Sequence, residues 1–143
     1  MPSAELERLV ETGLLQREPP IRDEFGGLLE SAGKRLADAE RRENSLDSRF
    51  DLAYNAGHAL AVAALRWHGY RAQKRYIVFQ SLPHSLGTAS TKWRLLARCH
   101  DERNRIEYEG QPNLSEKLVA DLITVARELV AAVRALPPIP SQE

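Results

Sequence analysis

The sequence predicts an all-α fold: an antiparallel bundle of five to six helices around a four-helix core. Three observations predict it. Apolar residues recur at three- and four-residue spacing in several long segments. Pro19-Pro20, Gly69, Gly87, Gly110 and Pro137-Pro138 fall between those segments, where helices stop. Only Ile77-Val78-Phe79 reads as a strand. No second strand candidate is visible, and one strand cannot satisfy its own backbone groups.

The first helix is expected from Ser3, a plausible cap, to about Gln16, with Leu6, Leu9, Val10 and Leu14 on one face. The second runs from about Ile21 to Arg42, with Phe25, Leu28, Leu29, Ala32, Leu36 and Ala39 as its stripe. Its last residues, AERREN, read as a solvated end. The third, about Leu46 to His68, is apolar nearly all round and so buried on several sides. A short helix broken at Pro83 follows. The fifth covers about Ser90 to Glu109 and ends at Gly110 and Pro112. The sixth starts near Asn113 and carries Leu114, Leu118, Leu122, Val125, Leu129 and Val133 inside. One domain, 1–143, is expected, with N-terminal helices over 3–43, a core over about 46–136 and a loose tail over 137–143.

Composition narrows the function. Of 143 residues 43% are hydrophobic, which suits a packed core and excludes disorder. Twenty basic side chains balance twenty acidic ones, so no global field draws the chain to nucleic acid. The single cysteine, Cys99, excludes an internal disulfide and reads as a small core residue of a reducing, cytoplasmic setting. Charge within the first five residues argues against a secretory leader. The longest apolar run, Ala59 to Leu65, is too short for a membrane span. Four scattered histidines give no metal-ligand pair, and no cofactor motif appears. His68 and His84 fall at helix ends, where exposure is expected. The cluster Arg66, Arg71, Lys74 and Arg75 reads as helix-end cations favoured by the dipole.

The fifth helix is unusual. With His100 set at zero and about 100° per residue, Leu95, Cys99 and Ile106 fall on a core stripe at about 220–260°. Arg98, Asp101, Arg105 and Glu109 form an ordinary solvated face. His100, Arg103, Asn104 and Glu107 share a further arc, flanked by Trp93 and Leu96. Polar groups beside large apolar residues are partly buried and need partners. Tyr108 lies outside that arc and joins it only if Gly110 unwinds the last turn. The third helix carries a second polar stripe, Asp51, Asn55 and His58, expected to face the first, with Asp51 orienting Arg103 or pairing with His100. These residues form either a structural network between two helices or a functional groove.

Arg103-Asn104-Arg105-Ile106-Glu107-Tyr108, with the helix order from Leu46 to Val133, resembles the HEPN family, the small helical domains named for nucleotide binding in higher eukaryotes and prokaryotes. The family carries an Arg, often followed by a polar residue, and a His four to six residues on. Arg103 matches the arginine, Asn104 the polar residue, and Tyr108 stands at the histidine position. The resemblance implies a homodimer, a toxin–antitoxin or defence-type setting, and RNA, a nucleotide or a small nucleotidyltransferase as partner. In that last setting Tyr108 is a modification acceptor. Nuclease members cleave RNA without metal. Tyrosine, with a pKa near 10, is a poor replacement for the family's imidazole base. The expectation is therefore a binding module using Arg103, Asn104, Glu107 and Tyr108, with Asp51, Asn55 and His58 in support. Two alternatives remain: a metal-free endoribonuclease using Arg103 with His100 or Tyr108, and a structural or regulatory bundle without a ligand.

Overall fold

The computed structural model describes residues 3–110 and 114–140, and within them the chain is an all-α helical bundle. The elements are α1 (Ala4–Glu11), β1 (Leu15–Arg17), α2 (Arg22–Ala39), α3 (Leu46–Trp67), β2 (Tyr70–Ala72), α4 (Arg75–Gln80), α5 (Leu82–Ser85), α6 (Ser90–Glu109) and α7 (Glu116–Arg134). The four long helices α2, α3, α6 and α7 form the frame. One more helix is present than the sequence suggested, because the segment around Pro83 divides at Ser81 into α4 and α5.

α1 is shorter than its apolar pattern implied, and the reason is Gly13. With φ of 81°, Gly13 takes the left-handed conformation that ends a helix. Its N–H donates to the Val10 carbonyl and Leu14 N–H to that of Leu9, which satisfies the terminal acceptors. The chain then leaves as β1, which pairs antiparallel with β2 in the register Leu15↔Ala72, Gln16↔Arg71 and Arg17↔Tyr70. This ribbon corrects the expectation of no strand pair. Three residues are too few for an alternation to show, and the pairing forms because α1 and the end of α3 bring the two segments together.

Arg66 anchors this end of the bundle. Its side chain is completely buried. It donates from Nε to Glu24 Oε1 at 2.6 Å, from Nη1 to the carbonyls of Glu18 at 2.8 Å and Tyr70 at 3.3 Å, and from Nη2 to that of Pro19 at 2.6 Å. Arg71 donates to the carboxylates of Glu18, at 2.8 Å, and of Glu24, at 2.6 Å. Burial alone would raise the Glu24 carboxyl, but hydrogen bonds from Arg71 and Arg66 outweigh it and hold it below the usual range. Two of the four supposed helix-end cations are therefore internal ties joining the Pro19 loop, α2, α3 and β2.

α2 stops at Ala39, short of Arg42, because side chains capture its terminal carbonyls. Arg49 Nε donates to the Ala39 carbonyl at 2.8 Å and Asn44 Nδ2 to that of Asp38 at 2.8 Å. Glu40, the first residue beyond, pairs with Arg127 of α7. The supposed solvated end is thus partly tied down. α3 begins at the Ser45 cap, whose hydroxyl accepts from Ser48 N–H, and packs against both α2 and α7. Phe50, Ala53, Tyr54, Ala56, Leu60, Ala61, Ala63 and Ala64 are buried, as its all-round apolar pattern implied. α7 starts after a Ser115 cap and buries Leu118, Leu122, Val125, Leu129 and Val133. The expected start at Asn113 lies outside the described residues.

The described part of the tail is packed, not loose. The Trp67 indole donates to the Pro137 carbonyl at 2.8 Å, and Ile139 is buried. His68 is also less free than expected: its Nε2 lies 2.8 Å from the Ser85 carbonyl, whereas His84 is exposed. Among the described residues no helix is long and apolar enough to cross a membrane.

Candidate functional site

α3, α4 and α6 meet around Phe79, and that meeting creates the site. Phe79 is fully buried and stands edge-on to Tyr54 (5.9 Å between ring centres) and to His58 (5.8 Å), with His100 at 6.4 Å. It splits the two polar stripes. On one side, a cavity of about 230 Å³ is lined by Tyr54, Arg75, His100, Arg103, Asn104 and Glu107. On the other, Asn55 and His58 face a separate cleft. The stripe on α3 therefore meets α6 only in part. Asp51 Oδ1 comes within 3.8 Å of Arg103 Nε, while Asn55 turns its amide to the Asp51 carbonyl at 2.8 Å.

Four of the residues singled out in α6 come together as the helical arc required. His100 is fixed at both ring nitrogens: Nδ1 lies 3.1 Å from the Tyr54 hydroxyl and Nε2 lies 3.4 Å from Asn104 Nδ2. Its ring also stacks on that of Tyr54 at 6.5 Å. The Arg103 guanidinium lies 5.5 Å from the centre of the Tyr54 ring, a cation–π contact. Arg103 keeps 31% of its side chain exposed. At 3.8 Å, Asp51 is beyond hydrogen-bond reach, so none of the guanidinium's donors is taken up by a carboxylate of the described residues. Glu107 is exposed and also lines the cavity. Tyr108 does not take part: α6 remains helical through Glu109, and Tyr108 projects into solvent with 85% exposure. Gly110 ends the helix with φ of 70° after that point, so no last turn unwinds to bring the phenol back.

Two contributors were not identified from sequence. Tyr54 reads there as one more member of the apolar stripe of α3. Burial pushes its hydroxyl pKa up, with Arg75 and Arg103 opposing that shift. Arg75 reads as a helix-end cation, but it stands at the first residue of α4 with its guanidinium 5.8 Å from the Tyr54 ring centre. It forms no ion pair among the described residues. Its approach to the same tyrosine ring as Arg103 has no signal in spacing, because the two arginines lie on different helices. What sequence could offer was the short α4 segment starting with two cations, Lys74 and Arg75.

The chemistry open to this cavity follows from its donors. Two guanidiniums present planar forks, Asn104 adds an amide, and Glu107 is the single acidic residue of the lining. Such a set suits a small oxyanion, above all phosphate. Among the described residues no cluster of three His, Cys, Asp or Glu side chains is arranged to hold a metal ion. No protein-family model matches the chain, and no curated protein matches it.

Proposed function

We propose that this chain is a HEPN-like domain that binds the phosphate of a nucleotide or of RNA in the cavity between α3, α4 and α6. The observation that carries the reading is the pair Arg75 and Arg103, both set against the Tyr54 ring and neither hydrogen-bonded to a carboxylate among the described residues. Cations held in place, partly desolvated and with donors not taken up by a carboxylate are poised for an anion. The contrast with Arg66, saturated by its own subunit, supports the distinction. Arg103 and Asn104 are the two residues that match the HEPN motif, and both line the cavity. A homodimer that joins two such cavities would enlarge the basic footprint that a neutral monomer lacks. A small nucleotidyltransferase in a toxin–antitoxin or defence pair is the partner this reading favours.

Titration calorimetry with ribose 5-phosphate and nucleoside monophosphates tests the proposal. Binding should fall about tenfold or more in Arg103→Ala and in Arg75→Ala, the loss of one charge-assisted contact. No measurable heat from any phosphate ligand with the folded wild type would sink it.

A second reading, a metal-free endoribonuclease, gains support from His100 sharing the cavity with Arg103. Both of its ring nitrogens are engaged, so catalysis would require the ligand to displace the long Asn104 contact and take its place. RNA cleavage in EDTA by wild type but not by Arg103→Ala or His100→Ala would establish that activity over simple binding.

A further inference from the structure

The second cleft, on the far side of Phe79, has about 560 Å³ of space between α2, α3, β2 and α4. That volume falls in the range of small-molecule pockets, about 300–1,000 Å³, and the α6 cavity does not reach it. The two spaces are neighbours, since Arg75 lines both. We propose that the cleft holds the heteroaromatic base of a nucleotide whose phosphate occupies the α6 cavity, with Arg75 at the junction. This rests on the phosphate-binding reading and extends it to a ligand class and an orientation.

The cleft is lined by apolar and polar side chains together. Leu28 of α2, Val62 of α3 and Val78 of α4 present surfaces suited to the faces of a flat ring. One edge is polar. His58 is half-buried there and makes no hydrogen bond among the described residues; its resolved neighbour is the edge of Phe79. Burial first, and then Arg75, His100 and Arg103, lower its pKa to about 4, so the ring is neutral at pH 7. A neutral imidazole offers one donor and one acceptor, the complement of a base edge, and a charged one would not. Asn55 stands one turn away; its Nδ2 is used on the Asp51 carbonyl, which leaves its Oδ1 as an acceptor. The cations also sort themselves. Arg66 and Arg71 line the cleft but are neutralised by Glu18 and Glu24. Lys74 and Arg35 have no ion pair among the described residues and leave the rim positive. An uncharged alkyl ligand would use the walls and waste both the imidazole edge and the rim. A nucleotide uses all three.

The test compares ribose 5-phosphate with AMP, GMP, CMP and UMP by calorimetry on the full chain. At least one nucleotide should bind about tenfold tighter than ribose 5-phosphate, as ring burial against side chains implies. Val62→Trp fills the cleft and should bring that ratio to within about twofold. His58→Phe keeps the ring volume while removing its polar atoms. It should erase the preference among the four bases, which keeps the idea testable if the tryptophan variant does not fold. Ribose 5-phosphate binding as tightly as every nucleotide would overturn the base site and leave the phosphate site standing. If neither class binds, both fall. A single-stranded RNA oligonucleotide that competes for the site, with the same sensitivity to Val62→Trp, identifies the unit as part of a polymer. Competition indifferent to Val62→Trp counts against the base site.

Discussion

Removing the Arg66 side chain should destabilise the protein several times more than removing that of Arg103, and the size of each loss follows from its surroundings. Arg66→Met keeps much of the volume but deletes every donor. The carbonyls of Glu18, Pro19 and Tyr70 lose the bonds at 2.6–3.3 Å that now satisfy them. Breaking a buried pair by deleting one partner costs about 3–5 kcal/mol. The lower end applies here, because Glu18 and Glu24 keep Arg71 and are 39% and 29% exposed, so water can reach them. Arg103→Met, by contrast, removes an ion pair at 3.8 Å from a side chain that is 31% exposed, against an Asp51 that is 58% exposed, and exchanges the cation–π contact with the Tyr54 ring for the sulfur–aromatic contact a methionine makes. The net loss is below about 1 kcal/mol. With a urea m-value of roughly 1.5 kcal/mol/M for a domain of this size, the midpoint should drop by about 2 M for Arg66→Met and by less than about 0.7 M for Arg103→Met. Equal losses, or the reverse order, would refute the division into a structural and an available arginine, and with it the reason for assigning a ligand to Arg103.

Two further outcomes test the interior. His58, with its pKa lowered to about 4 in the folded chain against about 6.5 unfolded, binds fewer protons when folded between those pH values. Its contribution is therefore complete above pH 6.5 and is lost as pH falls toward 4. The shift sets an upper bound of about 3 kcal/mol, and partial access of the ring to water reduces it to about 2. Urea midpoints between pH 7 and 4.5 should fall in wild type and stay flatter in His58→Gln; parallel curves would remove the argument. Cys99 is buried with its thiol pushed up to about 12, chiefly by burial. It should resist a thiol reagent at pH 8 in the native protein and react at once in denaturant; rapid native labelling would mean that α6 does not pack as described.

The fold was legible where period and punctuation agree. α3, α6 and α7 carry long apolar repeats, and α6 ends at Gly110 as its sequence implied, with the Gly110 N–H bonded to the Ile106 carbonyl at 2.9 Å. Boundaries failed where a partner distant in sequence decides them. α2 ends early because Arg49 takes the Ala39 carbonyl, and Leu15–Arg17 leaves the helix to pair with Tyr70–Ala72. Gly13 was a local signal for that exit, and the apolar spacing of Leu9, Val10 and Leu14 masked it. The tail shows the same limit: Pro137-Pro138 correctly marks the end of a helix, but says nothing of the indole of Trp67 waiting for its carbonyl.

The site was legible along α6 and not across helices, and that boundary has a physical origin. Angular position on one helix follows from 3.6 residues per turn, so the sequence alone groups His100, Arg103 and Asn104. What an arginine does depends on which carboxylates reach it, and those come from elsewhere. Arg66 and Arg75 look alike in sequence, both basic and both beside the turn after α3. Glu18 and Glu24 close on Arg66, while no acid among the described residues forms an ion pair with Arg75. The helical period likewise placed Asp51, Asn55 and His58 on one face, but Asn55 and His58 line the larger cleft, and Asp51 alone approaches the α6 arc, at 3.8 Å from Arg103. The molecule thus has two spaces sharing one cation: a small one lined by polar side chains, and a larger one of mixed lining that includes a neutral imidazole. An interior built only to hold helices together has no need of either space, since filling them with aliphatic side chains would bind the helices more tightly at no cost in desolvated charge.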